Sequence, residues 1–559
     1  MQVSNSTLKN KNLKHTKMKI SFKYISYFLL FILGLNLTLT SCTGDLDVTP
    51  KDDDEFLSEA FYKDPASYKQ VLAKLYAGLY VGGNDGDGDA NTPGKNPDIA
   101  GIGGDFSSYL RLLFVTQEFP TDEAIIAWAD GNLPSLNGQT WSADNEFLYG
   151  TFSRAFYHIS VANEFLRQTT DEKLTARGVD ANLKAQIAAF RAEARFLRAF
   201  SYYNLMDLFG NVPITTENDP VGFFYPVQKS RAEVFAFIES ELKDIDASLV
   251  ASKQNEYGRV DKTAAKFLLA QIYLNSKVYT GTDRNNEAAV VCKDIIDNSQ
   301  YTFANIPYKN LFSADNNRNG AQNEFIFPVV SDGNAIRATG GGMSFILHAS
   351  IGGSMDAAAQ GMNGGWAGIR TRKEFVALFP DATATGDKRG TFYTKGQNLD
   401  IARVDIFTEG YAVTKYTNVN SDGTAAQRND IPDTDFPMYR LSDVYLMYAE
   451  AAVRGASAAN IATAVGYVNK IRTRAGAATI AASDLTLDFI LNERGRELFW
   501  ECHRRTDLIR FGKFTGGSKI WQWKGGVMNG SATDPSRDLM PIPLKTIQAN
   551  PTLKQNPGY

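Results

Sequence analysis

The tightest polar cluster in the chain is the segment QEFPTDEA, residues 117–124, with Glu118, Thr121, Asp122 and Glu123. Paired carboxylates could serve as acid and base in glycoside hydrolysis, which needs them about 5–5.5 Å apart for retention or 6.5–9.5 Å for inversion. The same residues after Pro120 also suit a helix start, with Thr121 as cap and acids in the first turn. Helix capping is the expected role. Two tryptophans offer a different chemistry. Trp128 stands between Ala124-Ile125-Ile126-Ala127 and the turn Asp130-Gly131-Asn132-Leu133-Pro134. Trp366 lies in GMNGGWAGIR, where four glycines leave little side chain to cover it. An indole presents a large flat apolar face with few rotamers to freeze. A pyranose ring has a matching patch of C–H groups on one face and hydroxyls around its edge. Arg111, in SSYLRLLF, carries a fork that could take such hydroxyls. The alternatives are a core tryptophan at 128 and 366 and a structural salt bridge at 111. Trp141, Trp500, Trp521 and Trp523 are expected in the core.

Other catalytic patterns are missing. The sequence has no GxSxG, HExxH or P-loop motif. Its four histidines (His15, His158, His348 and His503) are scattered. With 62 acidic residues, a glycoside hydrolase remains the rival reading of another class, although no motif marks a carboxylate pair. The run ERGRELFWECHRRTDLIRF, 493–511, mixes five arginines with four acids and reads as a salt-bridged structural helix. Asp85, Asp87 and Asp89 alternate as in a calcium loop, but Ala90 and Asn96 occupy the positions of its glycine and glutamate. That stretch reads as a loop. Three cysteines make neither a disulfide framework nor a metal cluster. Cys292 and Cys502 are expected as buried thiols, with a bond between them left open.

The elements that would hold these residues follow from patterning. The formal charge is −4; residues 1–41 hold six lysines and no acid, so the remainder has 52 basic against 62 acidic residues. An acidic body excludes nucleic acid as partner. From Met18, Lys19 and Lys23 precede an apolar run, Phe28–Leu39, broken by Gly34 and Asn36: an export signal rather than a spanning helix. Leu39-Thr40-Ser41-Cys42 resembles the lipobox of bacterial lipoproteins, which implies that Cys42 becomes the acylated first residue. An acidic stretch with Asp52-Asp53-Asp54-Glu55 follows as a solvated tether. Helical spacing is seen over 55–80, 146–168, 181–209, 230–249, 261–278, 286–298, 438–454, 457–474 and 485–511. In 181–209 two apolar stripes predict contact with more than one neighbour, and Gly210 with Pro213 ends the helix. Residues 310–435 are rich in Gly, Asn, Asp and Thr and read as a loop-rich insertion.

Six segments in order, EARFLRAFSYYNLMDLFGNVP (193–213), GRVDKTAAKFLLAQIYLNSKVY (258–279), FPMYRLSDVYLMYAEAAVR (436–454), VNKIRTRAG (468–476), ERGRELFWECHRRTDLIRFGKF (493–514) and MPIPLKTIQANPTLKQNPGY (540–559), together resemble the SusD/RagB family of outer-membrane glycan-binding lipoproteins. The resemblance implies a mainly α fold: tetratricopeptide-like helix pairs forming a superhelical scaffold, packed against a loop-rich lobe with a few short strands. It implies a signal peptide over 1–41 and a lipidated tether over 42–55. The N-terminal helical part is 56–309, with a loop insertion at 81–145. A glycan-binding lobe over 310–435 and a C-terminal helical part over 436–559 follow. The implied partners are a SusC-like TonB-dependent transporter and a glycan, with the membrane reached through the lipid at Cys42 on the extracellular face of the outer membrane. No bond is broken on this reading.

Two further stretches, SSYLRLLFVTQEFPTDEAIIAWADGN and NGGWAGIRTRKEF, are similar to the starch-binding type of the family. By that match Arg111, Trp128 and Trp366 fall at glucan-contacting positions, and Asn132 stands one place beyond another, Gly131. A second tryptophan of the pattern is Ile126, and a third aromatic aligns near Thr339. The implied cargo is starch or another α-glucan. Alternatives are a β-glucan such as laminarin, another polysaccharide or peptide, or a helical-repeat adaptor that binds only proteins. No cofactor is implied beyond a structural calcium at Asp315, Asn317, Asp433 and Asp435, where Asn317 replaces a charged ligand.

Overall fold

A computed structural model of the chain describes residues 58–559 apart from 84–96, 100, 101, 105, 337, 383 and 384. The export segment, Cys42, the acidic tether and the aspartate loop at 85–96 lie outside the described residues. A short N-terminal unit ends at Asp64 and contains the helix Ser58–Phe61. The main unit is Pro65–Tyr559.

Antiparallel helices stack in series through the main unit. Glu146–Gln168 packs on Ala181–Phe209, which packs on Arg231–Asp244; Lys262–Leu274 packs on Asn285–Asn298, which packs on Leu441–Val453. Leu441–Val453 then meets Ile461–Arg474 and Leu487–Leu498. Six of these eight start where the preceding residue supplies an oxygen for free backbone N–H groups. Asn145 accepts from Phe147 and Leu148, Asp180 from Asn182 and Leu183, and Asp261 from Thr263 and Ala264. Ser230 and Glu233 form a reciprocal capping box. Ala181–Phe209 is buried on every side from Ser201 onward, as its two stripes require, and ends at Gly210 with φ of 72°. The fold is mainly helical, as expected, and its strands among the described residues are short.

Between Asn298 and Leu441 the chain leaves the helical stack and returns. Strand Phe325–Val329 pairs antiparallel with Phe436–Arg440. Phe327 packs against Phe196 and Phe200, and Tyr439 stacks on Phe267 at 4.1 Å, which seats this pair on the helices. The apolar pattern had placed 438–440 inside a helix. Arg440 instead turns inward to pair with Glu324, Glu497 and Glu501, and extended backbone delivers it. The same interior holds Arg389, Lys415 and Arg474. Arg389 reaches Glu493 at 2.9 Å, Lys415 reaches Glu501 at 2.6 Å, and Arg474 reaches Glu497 at 2.6 Å. The arginine-rich C-terminal run is thus salt-bridged and structural, but it is two helices, Leu487–Leu498 and Arg504–Arg510. The break carries Trp500 and Cys502 at positive φ, 59° and 66°. Likewise, 261–278 divides at Asn275 into Lys262–Leu274 and Ser276–Thr280. Cys292 and Cys502 are buried and unbonded.

Candidate functional site

Helix Tyr109–Glu118 runs into a bend whose carbonyls converge on a buried arginine. Arg372 donates to the carbonyls of Phe119, Thr121, Ala124 and Asn137. From the bend, Ile125–Ile126 pairs antiparallel with Ile369–Arg370, with Ile126 opposite Ile369. The Ala127 N–H donates to the Gly368 carbonyl at 2.8 Å, one step further. Two short strands therefore deliver Trp128 and Trp366 to the same end of the pairing. Trp128 Nε1 donates to the Trp366 carbonyl at 3.0 Å. The indole centroids are 6.2 Å apart and the planes are tilted by 46°. Gly368 permits this approach: a Cβ there would lie 2.7 Å from Cε2 of Trp128.

A buried helix, Gly342–Ser350, backs the pair. Trp366 N–H donates to the His348 carbonyl at 2.7 Å, and Gly368 N–H to that of Ala349 at 2.8 Å. The His348 imidazole lies flat beneath Trp366, 4.4 Å between centroids and 12° between planes. Its Nδ1 is 3.0 Å from the Ser344 carbonyl and its Nε2 3.4 Å from Asn363 Oδ1, which fixes the ring's orientation. His348 is 4% exposed and Trp366 38%, so one indole face is backed and the other is open. Phe345, on the same helix, meets Trp128 edge-on at 6.1 Å.

Arg111 joins the group through Phe345. Its guanidinium lies 4.3 Å from the Phe345 centroid and 4.5 Å from that of Phe106, and Nη1 donates to the Gly340 carbonyl at 2.7 Å. It is buried, so its contacts shape the wall behind the indoles. Asn132 is half-buried at the start of helix Leu133–Asn137. Its carbonyl accepts from Ser135 Oγ and Asn145 Nδ2, while its side-chain amide makes no hydrogen bond with the described residues. Sequence reasoning missed His348 and Phe345. Their only signal was a polar residue in the apolar run SFILHAS, in a region dominated by glycine.

The acidic cluster is not at this surface. Glu118, Asp122 and Glu123 are at most 1% exposed. Thr121 caps no helix start: it follows the helix end, donating to the Glu118 carbonyl and accepting from Glu123 N–H. The bend must feed a strand, and Arg372 gathers its carbonyls. Burial opposes ionisation of Asp122, but Arg504, bidentate at 2.7 and 2.8 Å, and Lys519 hold its carboxyl well below the usual range. Burial pushes Glu118 up to about 7. Burial, and the Glu118 carboxylate beside it, also push Glu123 well above the usual carboxyl range. The kink after Leu498 serves this pair, since Cys502 N–H donates to Glu118 and Trp500 N–H to Glu123. Trp141, Trp500 and Trp521 are core residues, and Trp523 is half-buried.

The expected calcium ligands do not fit a cation site. Asp315 accepts from Ser313, Asn319 and Ser421, and Asp433 from Gly333 and Gln427. Asp435 accepts from Ser331 N–H and Tyr257, and burial pushes it up to about 7. Asn317 Oδ1 takes Arg318. These oxygens face N–H and O–H donors, where a hard cation needs them free. Among the described residues no cluster of His, Cys, Asp or Glu is arranged to hold a metal.

Comparison with known proteins agrees with this architecture. Residues 389–559 match the SusD family model, and residues 113–274 match a model described as starch-binding, associating with outer membrane. The chain is 32% identical to the starch-binding protein SusD of Bacteroides thetaiotaomicron, over 94% of its own length and 97% of that protein's. Among solved structures it is similar to a SusD superfamily protein from Parabacteroides distasonis, 25% identical with a TM-score of 0.65, covering 80% of this chain and 93% of that one. It shares its fold with surface glycan-binding protein A of B. thetaiotaomicron, solved with laminarihexaose: 20% identity, TM-score 0.63, 88% and 98% coverage. A relative 32% identical along nearly the whole length, joined to the family match at the C-terminal end, places the chain in the SusD family.

Proposed function

We propose that this protein is a non-catalytic glycan-binding protein of the cell surface. It captures starch or maltooligosaccharides and passes them to a SusC-like TonB-dependent transporter. The observation that carries this reading is the tilted indole pair with one open face. Stacking on C–H faces grips a sugar ring without needing any group to attack it. A 46° tilt suits a chain that curves from one ring to the next, as an α-glucan does. Trp128 and Trp366 are the gripping residues, Asn132 adds a free amide at the rim, and Arg111 stiffens the wall behind them. The starch-binding relative supports the choice of cargo. Acyl chains on Cys42 moor the protein outside the outer membrane, because two chains anchor stably where one does not.

Native gels cast with amylopectin, pullulan, laminarin and other polysaccharides test the reading. Amylopectin and pullulan should retard the protein, and incubation with either should release no reducing ends. Retardation by laminarin alone would move the cargo to β-glucans. Turnover, or retardation by no polysaccharide, would overturn the proposal.

A further inference from the structure

A groove of about 360 Å³ opens beside the tryptophan pair, within the about 300–1,000 Å³ typical of small-molecule sites. Neither tryptophan lines it, but two connections lead from its lining to that pair. Asp130 and Gly131, the second and third residues after Trp128, line its mouth. On the other side Arg111 is clamped between Phe345, which meets Trp128, and Phe106, which lines the groove. Gly131 has φ of +50°, and a Cβ there would lie 3.1 Å from Glu146 Oε2. Glycine thus meets the backbone's need for the left-handed region and keeps the mouth clear.

The lining divides its labour as a saccharide requires. Phe106, 37% exposed, offers a ring for a C–H face. Asp130 and Glu146 are exposed acceptors for hydroxyls. Lys545, whose ammonium lies 4.9 Å from the Tyr149 ring centroid, is a donor in the same lining. Two carboxylates against one ammonium disfavour an anion, and the polar rim around aromatic walls disfavours a purely apolar ligand.

We infer that this groove is a second part of the saccharide site and takes further sugar units of the chain stacked on Trp128 and Trp366. The inference rests on the proposed glucan-binding function and adds that affinity grows with chain length beyond the units the indoles cover.

Isothermal titration of the mature protein with maltooligosaccharides of increasing length tests this. Wild type should tighten by about tenfold or more from the shortest binding sugar to the longest. A Glu146→Ala/Tyr149→Ala variant should match wild type on short sugars and lose that gain. Lys545→Ala, at an exposed residue far from the core, should lose part of it. Trp366→Ala should weaken every length alike. Wild-type affinity that is flat with length, or a groove variant that keeps the full gain, would overturn the inference and leave the indole site standing. A wild type that binds none of these sugars would remove both.

Discussion

Replacing Trp366 by alanine tests the site most directly, and the structure sets the size of the effect. Trp366 is 38% exposed, with its inner face on His348. Burying a tryptophan fully removes about 150–250 Å², so the open face offers about 60–95 Å² to a sugar. At about 25 cal/mol per Å² this is worth about 1.5–2.4 kcal/mol. The dissociation constant for maltoheptaose should therefore rise by about 12- to 60-fold. Trp366→Phe keeps a smaller ring over the imidazole and should fall between the two. Titration calorimetry measures the affinity, and thermal unfolding of the same samples reports the fold. An affinity within twofold of wild type, with an unchanged melting temperature, would refute the claim that this face grips the ligand. A loss of binding matched by a large fall in melting temperature would refute the assignment of Trp366 to the surface.

Gly368→Ala should weaken saccharide binding several-fold and shift the intrinsic fluorescence, because the new methyl would meet the Trp128 ring at 2.7 Å and push it aside. Arg440→Ala leaves Glu497 and Glu501 short of a cation in the interior and should cost about 3–5 kcal/mol, read as a lower melting temperature. Glu118 is held near 7 by burial, so it is favoured neutral in the folded protein. Its contribution is complete below the unfolded carboxyl's value and fades as pH rises toward 7. Glu118→Gln should therefore reduce the loss of stability that wild type suffers as pH rises toward 7, and melting curves between about pH 4.5 and 7.5 would show it.

Much of the scaffold could be read before any coordinates. Helical spacing marked segments beginning at 146, 181, 230 and 261, where Asn145, Asp180, Ser230 and Asp261 supply local caps, and the stripes in 181–209 announced two neighbours. The tryptophans at 128 and 366 were legible as surface candidates from their turn and glycine surroundings. Their pairing was not, since it depends on two-residue strands far apart in sequence. Helix Gly342–Ser350 was hidden because glycine flanks it and tertiary burial, not spacing, makes it helical. The kink at Trp500 was hidden because its N–H groups answer carboxylates that come from residues 118 and 123. The aspartates that the resemblance implied as calcium ligands face backbone, amide and hydroxyl donors, a pairing that local sequence does not display.

The stacking of Asn285–Asn298 on Leu441–Val453 has a consequence for how the chain acquires its shape. Residues 299–440 separate these two helices in the sequence, so a chain that emerges from its N-terminal end completes the first helices long before their last neighbours exist. Until then Cys292 and Ile295 present an uncovered seam. Contacts that close so long a loop form slowly, and the waiting surface invites wrong association. Truncation anywhere before Leu441 should leave that seam open for good, yielding an aggregating fragment rather than a smaller working protein.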